Sequence, residues 1–411
     1  MSHAVSPLAP ERFPDLPPVR GVRAGHGRIG LYKHVRDDLL VAHFPEGASV
    51  GGVFTTSSTR SPDVDWCRRA LVAGGGRAHA LVVNAGNSNA FTGAAGVAKN
   101  DASIDEMVRL TGCAREQVFL AATGVIGQPL PPRRVADAIP GVFEMAGLPE
   151  WPSLAATIAT TDTYPKGAGA TVAVGGVDVH IAGIAKGSGM IAPNMATMLV
   201  FIFTDADLAP GVAQALVSRH VDTTFNTITV DGDTSTSDTL LLFATGASGA
   251  PRIDSVDDPR LAAFSDALRG VMHDLALQVV KDGEGAEKLI RIEVSGARDD
   301  ASARRIGLAI GNSPLLKTAV SGGDANWGRV VMAVGKSGEP IALEKLAIRM
   351  GGVWTAREGG AIAYDEKAVD AHFAGREIDI LVDVGLGDGR SVVWTCDLTK
   401  RYVEINGDYR S

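Results

Sequence analysis

A mixed α/β fold, with antiparallel-rich sheets packed between helices, is what the strand and helix pattern of this chain permits. Three observations support it. Met198, Leu199, Val200, Phe201, Ile202 and Phe203 form an unbroken apolar run, which suggests a strand covered on both faces. Val172, Val174, Val177 and Val179 alternate across a Gly-Gly pair and predict a hairpin. Leu261, Phe264, Leu268, Val271, Met272, Leu275 and Val279 recur at helical spacing and predict a long amphipathic helix on the core.

Composition sets the outer bounds. The 411 residues could make two or three ordinary domains, and 45% hydrophobic content is ample for a large core. A formal charge of −8 without runs of like charge argues against nucleic acid as a partner, since phosphate binding rests on clustered Lys and Arg. The opening MSHAVSPLAPERFPDLPPVR is proline-rich and lacks an apolar stretch of signal-peptide length, and no later segment would span a bilayer. A soluble, cytoplasmic protein with a flexible N-terminal arm is the expectation. Cys67, Cys113 and Cys396 are odd in number and widely spaced, so buried reduced thiols are favoured over disulfides or a zinc site.

From Gly21 to Thr56, segments such as Leu39–Ala42 and Gly51–Phe54 are broken by glycine and charged turns, which is strand-and-turn territory. Leu81, Val82 and Val83 form a further strand running into NAGNSNAFTG, Asn84 to Gly93, which reads either as an Asx-rich turn or as a display of amide donors. Ser103 with Glu106 predicts a capping box opening a helix that Gly112 ends. After Val118–Leu120, ATGVIG at Ala122 to Gly127 turns a strand into a turn whose glycine leaves its amide accessible, a reasonable place for oxyanion donors.

His180 beside the hairpin and His273 on the long helix read as structural. Asp205 to Val221 predicts a helix. The following TFNTITVDGDTSTSDT, Thr224 to Thr239, carries Asp231, Asp233 and Asp238, but lacks the glutamate that closes an EF-hand loop. These are expected to be solvated or hydrogen-bonded turn carboxylates, and no metal is assigned. KDGEGAEK sets Glu284 between Gly283 and Gly285, free to face a pocket or to remain a surface C-cap, ahead of a strand from Leu289 to Val294.

KGSGMIAPNMATMLV, Lys186 to Val200, joins a glycine-rich loop to the apolar run. A P-loop reading fails, because the glycines should precede the lysine and Ser or Thr should follow it, whereas Gly187 follows here. Thr197 stands at the mouth of the strand after Pro193 and Asn194. Read alone, it is a strand-capping or core threonine. It would become a nucleophile if the Ala196–Thr197 bond were cut, since a chain-terminal threonine carries its own base, an α-amine of pKa about 7.7–8.0. Attack of the hydroxyl on the Ala196 carbonyl, then hydrolysis of the resulting ester, would make that cut, helped by strain in a tight turn.

The whole Lys186–Val200 segment resembles the self-cleavage site of the ornithine acetyltransferase family, the bifunctional glutamate N-acetyltransferases and amino-acid acetyltransferases of arginine biosynthesis. Further blocks resemble the same family: the asparagine-rich loop, with Phe91 where relatives usually carry cysteine, ATGVIG, IATTDTYPK at Ile158 to Lys166, DGEGA, GNSPLLKTAVSGGDANWGRV at Gly311 to Val330, and TCDLTKRYVEINGDYRS at the end. The similarity runs in blocks from about Gly21 onwards and is weakest in the arm and around Ala244 to Arg260.

The resemblance implies a self-processing N-terminal-threonine-nucleophile fold of the ornithine acetyltransferase and DmpA-like type, with sheets packed between helices. It implies a cut at Ala196–Thr197 into chains 1–196 and 197–411 that are intertwined and share one core, two of each forming a heterotetramer. Thr197 is then the nucleophile, Thr123 and Gly124 the oxyanion hole, and Thr160, Lys186, Thr197, Glu284, Asn406 and Ser411 the substrate contacts, Thr160 chosen from Thr160, Thr161 and Thr163. Many relatives end in threonine where this chain has Ser411. The implied reaction moves acetyl from N-acetylornithine to glutamate by a ping-pong route, without metal or cofactor; whether acetyl-CoA is also a donor, which separates a bifunctional from an ornithine-only enzyme, is left open by the sequence. Alternatives are an amidohydrolase or aminopeptidase in which water resolves the acyl-enzyme, a paralogue with another acceptor, and a scaffold that lost activity.

Overall fold

The computed structural model describes residues 4–192 and 198–407. Eight strands build the first sheet: β1 (Arg23–Gly27), β2 (Leu39–Phe54), β3 (Arg77–Asn87), β4 (Val118–Val125), β5 (Lys166–Val174), β6 (Val177–Lys186), β7 (Leu199–Thr204) and β8 (Thr239–Ala244). Their order is β4-β3-β2-β8-β7-β6-β5, with β1 on β2. The β3/β4 and β7/β8 pairs are parallel, and the other neighbours are antiparallel.

The central strand β7 is buried on both faces, as its unbroken apolar sequence predicts. Val200 and Ile202 join a core with helices Pro210–Val221 and Leu261–Lys281. Leu199, Phe201 and Phe203 point into the opposite core, under helices Pro62–Ala73 and Trp151–Ile158. There the ring of Phe243 stacks on Phe203 at 5.6 Å and on Phe44 at 4.8 Å between centroids. The hairpin falls where predicted: Val174 pairs with Val177, and Gly175 and Gly176 at φ 58° and 84° make the two-residue turn. Two consecutive positive φ values define the type I′ geometry that matches strand twist.

The second sheet contains β9 (Leu289–Ala297), β10 (Ala347–Met350), β11 (Val353–Arg357), β12 (Gly360–Ala361), β13 (Glu377–Asp383) and β14 (Gly389–Cys396), in the order β12-β11-β10-β13-β9-β14. Its core is a separate cluster, closed by helices Asp300–Gly311, Pro314–Ser321 and Trp327–Gly335. Chain order matters in the first sheet. β1 to β6 precede position 196, yet β7 and β8 are inserted between β2 and β6, so both cores of this sheet mix residues from either side of that position.

Three local expectations change. Ser103 and Glu106 lie inside a helix that already starts at Gly93; the Ser103 hydroxyl donates to the Lys99 carbonyl and Glu106 pairs with Arg109. Gly112 does end this helix, left-handed at φ 72°. The next predicted helix begins at Pro210 and not at Asp205, because the Asp205 carboxylate is occupied by the His180 backbone and ring. The arm is docked: Ser6 bonds Thr163 Oγ1 and the Lys281 carbonyl, Arg376 donates to the Pro7 carbonyl, and Phe13 covers Gly167. Cys67, Cys113 and Cys396 are free thiols, and burial pushes Cys67 up to about 12. Among the described residues no helix is long and apolar enough to cross a membrane.

Candidate active site

Strand direction brings the site together. β6 ends at Lys186 opposite the first residue of β7, and β8 starts at Thr239 beside that same residue, Leu199. β4 ends nearby with Thr123 and Gly124. The loops and strand ends meet around a cavity of about 330 Å³, lined by Thr123, Gly124, Thr160, Lys186, Glu284 and Asn406 among others. These are six of the residues expected at the site, drawn from sequence positions almost three hundred apart. Thr197, Ala196 and Ser411 lie outside the described residues.

Gly124 has φ 132°, a conformation side chains rarely adopt, and a Cβ there would strike the Gly86 backbone of the parallel neighbour β3. Lys186 is 3% exposed and donates to Thr123 Oγ1 at 3.2 Å. Burial pulls its ammonium below the usual lysine range, opposed by Asp162, Glu284 and Asp238. Across the pocket Glu284 accepts from Asn406 Nδ2 at 2.7 Å, and its backbone amide donates to the Ser188 carbonyl at 3.0 Å. Gly189 must be small, since a Cβ would come within 2.5 Å of the Glu284 carboxyl.

Sequence reading missed the buried ion cluster that holds these loops in register. Lys166 Nζ donates to Asp162 at 2.5 Å and to Asp282 at 2.6 Å, all three side chains being essentially inaccessible. Asp162 also accepts the Gly187 amide at 2.7 Å and the Thr160 amide at 2.9 Å. Burial opposes its charge, but Lys166 and Lys186 hold its carboxyl well below the usual range. One carboxylate thus links the loop of Thr160, the end of β6 and, through Lys166, the Asp282–Glu284 turn. The available signal was an acid among the threonines of IATTDTYPK with a lysine four residues on.

The carboxylates of the loop before β8 also have defined partners. Asp231 accepts from Met190 N at 2.6 Å and Ile191 N at 2.9 Å; Asp238 accepts from Met198 N at 2.9 Å. They grip the chain just before and just after residues 193–197. Met190, at φ 58°, is one of four non-glycine residues with positive φ among those described. No group of three or more His, Cys, Asp and Glu is placed to hold a metal ion among the described residues. In the asparagine-rich loop, Asn89 donates to Asp63 while Lys99 bridges Asp63 and Asn84, so this loop is braced by a buried network. Phe91 is 83% exposed.

Layered sheets with a polar pocket at their strand ends, lined by a buried cation, a carboxylate and threonine hydroxyls, define the class: a mixed α/β enzyme. The model of the ArgJ family matches residues 23–411, and the chain belongs to that family. It is therefore an acyltransferase of arginine biosynthesis. It is 52% identical over 401 residues to the arginine biosynthesis bifunctional protein ArgJ of Caulobacter vibrioides, covering 97% of this chain and all of the relative. It is 53% identical over 415 residues to that of Rhizobium meliloti, covering all of both. Among solved structures, the ArgJ protein of Bacillus halodurans shares 39% identity, with 51% of this chain and 98% of that one covered at a TM-score of 0.49.

Proposed function

We propose that the chain cuts itself between Ala196 and Thr197 and that Thr197 then carries acetyl from N-acetylornithine to glutamate, releasing ornithine and N-acetylglutamate. The Thr197 hydroxyl attacks the acetyl carbonyl while its α-amine takes the proton. The tetrahedral oxyanion is met by the Gly124 amide and the Thr123 hydroxyl. Because Thr123 Oγ1 accepts its hydrogen bond from Lys186, its own proton remains available for the oxyanion. The amine of ornithine leaves with a proton, and glutamate enters the same pocket to attack the ester. Lys186 receives the substrate carboxylate, Glu284 oriented by Asn406 receives the ammonium end, and Thr160 and Ser411 complete the contacts.

What carries this reading is that Thr123, Gly124, Thr160, Lys186, Glu284 and Asn406 line a single cavity sized for an amino acid. Family membership supports the chemistry. The insertion of β7 and β8 between β2 and β6 supports chains 1–196 and 197–411 as products of processing that stay intertwined. A tetramer of two of each chain in the cytoplasm, without metal or cofactor and with acetyl-CoA as a second donor, completes the proposal.

The test is release of ornithine from N-acetylornithine with and without glutamate. Steady release only with glutamate, matched by N-acetylglutamate, is expected, with parallel double-reciprocal lines. Acetate formed at a rate indifferent to glutamate would assign the enzyme to hydrolysis. Intact-mass spectra should show two chains, and only full-length protein in Thr197→Ala.

A further inference from the structure

We propose that the Thr236 hydroxyl receives the side-chain carboxylate of the acceptor glutamate, so that donor and acceptor share Lys186 but send their side chains to different walls of the pocket. The inference deepens the proposed function and rests on it.

The side chains of N-acetylornithine and glutamate have equal reach, each bearing its charge on atoms bonded to Cδ. One ends in an ammonium and the other in a carboxylate. With the α-carboxylate of either held by Lys186, a shared side-chain path would bring both ends to Glu284, which attracts the first and repels the second. Lys186 and Glu284 are the charged side chains lining this cavity among the described residues. A second carboxylate therefore has to be met by neutral donors, on a wall away from Glu284.

That wall is Ser235, Thr236 and Ser237, in the loop before β8. Ser237 Oγ is bonded to the Ser88 carbonyl, just after β3, whereas Glu284 is bonded through its backbone to Ser188, just after β6. β2, β8 and β7 stand between β3 and β6 in the sheet. Thr160 and Thr161 lie on the Glu284 side, since Thr161 and Glu284 both border a second cavity of about 590 Å³ that Ser235, Thr236 and Ser237 do not line.

Within the wall, two hydroxyl protons are already engaged. Ser237 Oγ donates to the Ser88 carbonyl at 3.3 Å, and the Ser235 hydroxyl stands on the buried Asp238 carboxyl. Ser88 Oγ, also lining the cavity, donates to the Val125 carbonyl at 3.1 Å. Thr236 is half-buried, and its hydroxyl contacts only Ser237 Oγ among the described residues, at 3.5 Å. That is longer than a firm O–H···O bond, so its proton is available to a ligand. The backbone behind it is fixed, because the Thr236 carbonyl accepts the Ser61 amide at 2.7 Å. Burial keeps the neighbouring Asp238 protonated well above the usual carboxylate range, so it sets no standing negative charge against an incoming carboxylate. No covalent bond forms or breaks at Thr236; it donates one hydrogen bond.

Thr236→Val keeps the shape and removes the hydroxyl. In a ping-pong route kcat/KM for each substrate reports its own half-reaction, so the two side-chain sites can be read apart. For glutamate it should fall by about tenfold or more, the scale of a hydrogen bond to a charged group, and for N-acetylornithine it should stay within about twofold. Exchange of labelled ornithine into N-acetylornithine should likewise hold. Glu284→Gln is the converse: kcat/KM should fall for N-acetylornithine and hold or rise for glutamate. Equal falls for both substrates in either variant overturn the proposal, as does an unchanged glutamate value in Thr236→Val. Should the thermal midpoint show that Thr236→Val is not folded, Glu284→Gln decides. Failure of the parent protein to pass acetyl to glutamate at all would instead refute the reading on which this rests.

Discussion

Lys186 reaches across the pocket to donate to Thr123 Oγ1 at 3.2 Å, tying the end of β6 to the end of β4. The pair joins the cation expected to receive a carboxylate to the hydroxyl expected to face the oxyanion, so ground-state binding and transition-state stabilisation are coupled by one bond.

The first consequence is a pH dependence. Lys186 should lose its proton below the ordinary lysine value of about 10.4, since burial disfavours its charge. KM for N-acetylornithine should therefore climb in the alkaline range before pH 10, with kcat less affected. Initial rates at saturating glutamate measure this, and a KM flat to pH 10 contradicts it.

Gly124→Ala should lower kcat by about a hundredfold, the scale of losing one oxyanion donor. The cause is backbone displacement, since a Cβ at φ 132° presses on Gly86. Gly127→Ala is the comparison: also at positive φ, but with open space around its Cβ. Equal kcat losses in the two variants would remove Gly124 from the chemistry.

Asn406→Ala leaves one Glu284 oxygen without its donor. A hydrogen bond to a charged group is worth about 1.5–3 kcal/mol, so KM should rise by roughly tenfold or more while kcat moves little. A fall in kcat at constant KM would place Asn406 in the chemical step.

Asp162→Asn should destabilise the fold by about 3–5 kcal/mol, because it strips Lys166 of one of two buried counter-charges. Asp162 is held below its unfolded value, so its contribution is complete at neutral pH and is lost as pH falls below about 4 through the folded value. Denaturant midpoints of parent and variant should thus differ strongly at pH 7 and still clearly, though less, near pH 3, the gap narrowing further as pH falls toward the folded value.

Periodic features were legible in the sequence, and long-range polar ones were not. The β7 run, the Gly175–Gly176 hairpin and the helix Leu261–Lys281 each repeat at the period of their own backbone, so local order is enough to find them. The Ser103 capping box misled because the preceding GAAGVAKNDA is helical on small residues with little apolar rhythm. Asn406 could be nominated only by resemblance, and the glycines around Glu284 left it free to face a pocket or to stay a surface cap, a choice local sequence does not make. The Lys166–Asp282 pair spans 116 residues, and nothing in the local sequence of either partner names the other. The docked arm is similar: prolines suggest freedom, whereas Ser6 and Phe13 find partners that no local pattern reveals.

The insertion of β7 and β8 between β2 and β6 changes the molecularity of folding once the chain is cut. An intact chain regains this sheet in a unimolecular reaction, whatever its concentration. Two chains parted at residue 196 must first meet in solution, so recovery from denaturant becomes second order and the apparent midpoint falls on dilution. The proposed cut would therefore remove the easy way back: a cut protein that unfolds would be far less able to reassemble than an intact one.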